Sequence, residues 1–126
     1  MSKEIIVTDK APAAIGPYSQ AVKSDKLIFA SGQIPIDPLT GEIVPGDVRA
    51  QTNQVMKNLQ AVLTAAGSGM QNIVKTTLFI KNMDDFSLIN EVYAGFFDNN
   101  QPARSTVEVA RLPKDVKIEI EAIAVI

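Results

Sequence analysis

The sequence predicts an α+β fold, and three observations carry that expectation. Two stretches repeat apolar residues at helical spacing, several shorter ones alternate as strands do, and the final segment offers one unbroken apolar face for helices to cover. At 126 residues the chain fits a single domain over 1–126. Its 46% hydrophobic and 21% charged residues suit a folded globular chain, not a disordered one.

Along the chain, KEIIVT (residues 3–8) reads as a short strand. APAAIGPYSQAV (11–22) follows, and its two prolines and glycine favour a shaped loop around Tyr18. KLIFASGQIPI (26–36) is strand-like through Ala30 and then meets Ser31-Gly32, where glycine permits a bulge or a close approach. DPLTGEIVPGD (37–47) is turn chemistry. Val48, Thr52, Val55, Leu59, Val62 and Ala66 then mark a helix, with Asp47 as its N-cap and Gly67 past its end.

NIVKTTLFIKN (72–82) is a strand with Val74, Thr76, Leu78 and Ile80 on one face. In DDFSLINEVYAGFF (84–97) Phe86, Ile89, Tyr93, Phe96 and Phe97 share one side of a helix that Asp84 or Asp85 starts, and core packing accounts for them. The end of the chain, ARSTVEVARLPKDVKIEIEAIAVI, reads as two strands joined by a Leu-Pro turn. In the last strand Val116, Ile118, Ile120, Ala122, Ala124 and Ile126 face the helices. Lys117, Glu119, Glu121, Ile123 and Val125 form a second face, half apolar, which implies that another copy of the chain covers it.

Composition narrows the chemistry. The chain has no Cys and no His, which removes disulfides, thiolate nucleophiles and the commonest general base and metal ligand together. Carboxylates, Lys, Arg, hydroxyls and backbone groups are left. A net charge of −2 with no run of Lys or Arg does not select nucleic acid as a partner. No apolar stretch approaches the roughly 20 residues of a membrane-spanning helix, and the first residues lack the order of a secretory signal, so a cytoplasmic location is expected.

Arg104, Glu108, Glu119 and Glu121 stand out in segments otherwise rich in Val, Ile and Ala. Pairing of the last two strands would bring the arginine near the glutamates. Two readings fit: an ion-pair ladder on a solvated sheet, or a pocket in which Arg104 grips a carboxylate with its planar fork. Spacing leaves both open. Tyr18 divides likewise between tying down its loop and lining a pocket.

APAAIGPYSQA, SGQIP, VKTTLFIKNMDDF, NEVYAGFF and above all PARSTVEVARLPKDVKIEIEAIAV resemble the reactive intermediate deaminase family, in its RidA (YjgF-type) branch, over nearly the whole chain. The resemblance implies a chorismate-mutase-like fold: a mixed sheet with two helices on one face, three copies joining into a barrel-like homotrimer, and sites between subunits. It implies hydrolysis of 2-imino acids (2-iminobutanoate and 2-iminopropanoate) to 2-oxo acids and ammonia, with no metal or cofactor. By the same resemblance Arg104 binds the substrate carboxylate, Glu119 orients the water, and Tyr18, Ser31, Gly32 and Asn90 line the pocket. Where many members carry Cys this chain has Thr106, which bears on substrate preference. A regulatory carboxylate-binding protein and a translation inhibitor or endoribonuclease are the rival roles that relatives suggest.

Overall fold

The computed structural model describes residues 2–126, and its backbone hydrogen bonds join six strands into one sheet. In chain order the elements are β1 (Glu4–Ile6), β2 (Ala21–Ser24), β3 (Leu27–Gln33), α1 (Val48–Ala65), β4 (Ile73–Ile80), α2 (Phe86–Ala94), β5 (Ala103–Glu108) and β6 (Ile118–Val125). The sheet order is β1-β2-β3-β6-β4-β5. Every neighbouring pair is antiparallel except β4 and β5, which run parallel because α2 carries the chain back between them.

Helix α1 begins and ends as its sequence dictates. The Asp47 carboxylate accepts from the Arg49 and Ala50 N–H groups at 3.0 and 3.2 Å, which satisfies two donors that have no partner within the helix. At the other end Gly67 adopts φ +84°, its N–H donates to the Thr64 carbonyl, and the Ser68 N–H reaches back to Leu63 at 2.9 Å. For α2, Asp85 occupies the N-cap position without a side-chain bond, and Asn82 accepts from the Asp84 N–H at 2.9 Å in the preceding turn.

Both helices cover one face of the sheet. Val55, Leu59 and Val62 of α1 and Ile89 of α2 pack with Leu78, Ile80, Ile118, Ile120 and Ala124, all essentially without solvent contact. The predicted face of the last strand is therefore realised from Ile118 to Ala124, while Ile126 at the chain end is about half exposed. The opposite face keeps Leu27 beside Val125 and Phe29 beside Ile123, with Phe29 43% exposed.

Three expectations are corrected. Val74, assigned by alternation to the buried face of β4, is 45% exposed, because a register shift between Ile73 and Lys75 turns it outward and buries Ile73 in its place. Ala21 and Val22, read as loop, open β2, a strand too short for its alternation to register. Most consequentially, β5 does not pair with β6: β4 lies between them. The strand whose alternate residues are wholly apolar takes the centre, and the one carrying Arg104, Ser105, Thr106 and Glu108 takes the edge.

Candidate active site

Helix α2 and the edge strand β5 build one cluster. Thr76 of β4 faces the helices, and Arg104 pairs with it across the parallel ladder, so Arg104 points to the same side. There it meets Phe86, Asn90 and Tyr93, which recur at i, i+4 and i+7 and so form a stripe along one side of α2. Asn90 Oδ1 accepts from Arg104 Nη1 at 2.8 Å. The guanidinium carbon lies over the Phe86 ring at 5.3 Å and over the Tyr93 ring at 5.0 Å from their centroids.

Tyr93 is in turn fixed by a 2.6 Å hydrogen bond between its hydroxyl and Thr76 Oγ1, and burial pushes its phenol pKa up. Among the described residues the ion pairs involve Arg49 and Arg111 and leave Arg104 without an acid. A part-buried guanidinium lacking a carboxylate is costly unless something else supplies one. On the same face of β5, Thr106 Oγ1 is buried with no hydrogen-bond partner among the described residues, a polar atom that a ligand can satisfy.

A second cluster lies on the uncovered face. The pairing of β3 with β6 slips between Ala30 and Gln33, so Ser31 and Gly32 form the bulge that their sequence suggested. Ser31 is locked from both ends: its hydroxyl donates to the Ser19 carbonyl at 2.6 Å and its N–H to Gln20 at 2.9 Å. Gly32 is needed for close approach, because a Cβ there would lie 2.0 Å from Glu119 Oε2 and 2.8 Å from its carboxyl carbon. The Glu119 carboxylate thus rests against bare backbone.

Tyr18, Ser31, Gly32, Pro113, Glu119 and Glu121 share one cleft there. Burial, and then the negative charge of Glu121, raise the Glu119 pKa above the ordinary carboxylate value. A carboxylate tuned in this direction is a better proton acceptor than a free one, provided it is still ionised at working pH.

The structure therefore gathers the sequence-predicted residues into two groups rather than one. Tyr18, Ser31, Gly32 and Glu119 come together, and so do Arg104, Asn90 and Thr106. Arg104 lies opposite Thr76 and Glu119 opposite Phe79, on the two strands flanking β4. Those offsets, two strand spacings and three residues, put the backbones about 14 Å apart. Their side chains also point to opposite faces, so one copy cannot close both groups on a small ligand. Helical spacing assigned Phe86 and Tyr93 to the core, which holds for Tyr93, whereas Phe86 is 38% exposed, and both rings also border the Arg104 guanidinium. The signal for that contact was present in the i, i+4, i+7 stripe with a polar Asn90 at its middle.

Comparison with known proteins gives a consistent result. The family model described as Endoribonuclease L-PSP matches residues 8–126. The 2-iminobutanoate/2-iminopropanoate deaminase of Escherichia coli K12 is 57% identical, with 99% of this chain and 98% of that protein aligned. A RutC family protein of Pyrococcus horikoshii is also 57% identical, over 97% of each chain. Among solved structures, E. coli TdcF with bound serine superposes with a TM-score of 0.93 at 53% identity, covering 98% of each chain.

Proposed function

This chain belongs to the endoribonuclease L-PSP family, in the RidA group, and from that membership we propose that it hydrolyses 2-iminobutanoate and 2-iminopropanoate to 2-oxo acids and ammonia. The observation that carries the proposal is Arg104: a part-buried guanidinium, hydrogen-bonded and stacked, with no acid paired to it among the described residues. Such a group is suited to a ligand carboxylate. The solved relative with bound serine holds a small molecule bearing a carboxylate.

In the proposed assembly the Arg104 group of one copy faces the Glu119 group of a neighbour in a homotrimer. The uncovered apolar face, with Leu27, Phe29, Ile123 and Val125, supplies surface for that contact. Arg104 fixes the carboxylate and presents the imine carbon, a positional effect that can be large. Thr106 Oγ1 is available to a second polar atom of the ligand. Glu119 takes a proton from a water whose oxygen bonds to the imine carbon. Glu119 then passes that proton to the carbinolamine nitrogen and takes the hydroxyl proton as the C–N bond breaks and the C=O bond forms, so ammonia leaves and the proton brought by the protonated imine is given up to ammonia or solvent. Tyr18 borders the water side of the cleft. The protonated imine is itself electrophilic, so these steps need neither metal nor cofactor.

Phosphodiester cleavage, the activity in the family description, fits this cleft poorly. Among the described residues, Arg104 is the one cation the assembly brings to it, enough for a single carboxylate, and the net charge of −2 without a run of Lys or Arg adds no further attraction to a phosphate backbone. A coupled assay tests the reading. A pyridoxal-phosphate dehydratase acting on threonine or serine generates the imine, and the release of 2-oxo acid is followed with and without this protein. Acceleration beyond spontaneous hydrolysis is expected. No acceleration, with the 2-oxo acid still bound, would favour a carboxylate-binding regulatory protein instead.

A further inference from the structure

Resting on the reading of Arg104 as the carboxylate binder, we infer that Phe86 and Tyr93 are positioning residues whose ring faces aim its guanidinium. Arginine is a long, flexible side chain, and on an edge strand it would sample many orientations unless held. Two devices could hold it. A carboxylate would fix the guanidinium but occupy the in-plane N–H donors that a ligand needs, and would neutralise the charge. An aromatic face attracts the cation through its quadrupole and leaves the N–H edge free.

The geometry follows the second device. The guanidinium carbon lies 5.3 Å from the Phe86 centroid and 5.0 Å from that of Tyr93, both within the range of cation–π attraction. Asn90 takes Nη1 and sets the rotation of the fork, while no protein group among the described residues hydrogen-bonds Nε or Nη2. Tyr93 is itself immobilised by its bond to Thr76, a residue of the strand that pairs with β5. Core and site are therefore coupled through one ring. Phe86 is 38% exposed, which is unexplained if it serves the core alone.

Phe86 is the ring to test, because it can be changed without opening the core. Binding of 2-oxobutanoate to the assembled protein would be measured by calorimetry for Phe86→Leu, Phe86→Tyr and pentafluorophenylalanine at position 86. The fluorinated ring keeps the shape and inverts the quadrupole, so it separates aim from packing even if the Leu variant fails to fold. The expected result is a Kd raised about 5- to 30-fold by both Leu and the fluorinated ring, restored toward the parent by Tyr. In imine turnover KM should rise more than kcat falls. Parent-like affinity with the fluorinated ring, while Arg104→Lys has lost binding, overturns the inference alone. Undiminished binding by Arg104→Lys overturns the carboxylate reading, and this inference with it.

Discussion

Arg104 is gripped from α2 by two rings and an amide, whereas Glu119 lies against the backbone of a bulge with another acid for a neighbour. The difference follows from what each group must do. A guanidinium is charged at any working pH and needs only to be aimed, so packing side chains around it is enough. A carboxylate that accepts a proton must also have a suitable pKa, so its burial and its charged neighbours matter as much as its direction. The first group should therefore fail through lost aim, and the second through lost protonation chemistry as well.

The largest expected effect is on the second group. Glu119→Gln keeps shape and hydrogen bonding but removes the base, so imine turnover should fall by roughly 10²–10⁴-fold. Affinity for a 2-oxo acid should weaken far less. Both are measured on one folded sample, and unchanged turnover would move the role of base to Glu121 or to the substrate. Arg104→Lys should come next, with a loss of about 2–5 kcal/mol in substrate binding as a single ammonium replaces aligned donors. Here affinity and turnover should fall together; near-parent affinity would return Arg104 to a structural role.

Gly32→Ala tests whether backbone shape alone aims the carboxylate. The added Cβ would overlap Glu119 Oε2, the end of a movable side chain, so the fold should survive. Turnover should drop by roughly 10–100-fold, as expected for a displacement near 1 Å. A folded Ala variant with full turnover would mean that Glu119 works from another rotamer.

The smallest effect concerns pH. The base form of Glu119 is lost as pH falls through its raised pKa, so the acid limb of kcat/KM should lie above the ordinary carboxylate range. Glu121→Gln removes the lesser of the two causes, so the limb should move to lower pH yet stay raised by burial. A limb that does not move in the pH–rate profile would show that Glu119 is not the group titrating.

Local chemistry made much of this protein legible. The caps of α1 depend on groups within a few residues and the faces of β6 follow its own alternation, and each occurs where the sequence places it; glycine marked the bulge at Ser31-Gly32, but its partners Ser19, Gln20 and Glu119 come from elsewhere in the chain. The terminal motif also carried the family. Strand order did not follow in the same way. Adjacent strands in sequence are natural partners, and nothing local in β5 or β6 announces that β4 will come between them. That insertion is decided by which strand can be covered by helices along its whole length, a property of the packed sheet. It is also what separates Arg104 from Glu119, and what brings Phe86 and Tyr93 onto the guanidinium. The sequence by itself determined which groups could do chemistry; only tertiary packing decided which of them meet, because side-chain direction depends on strand neighbours far away in the chain.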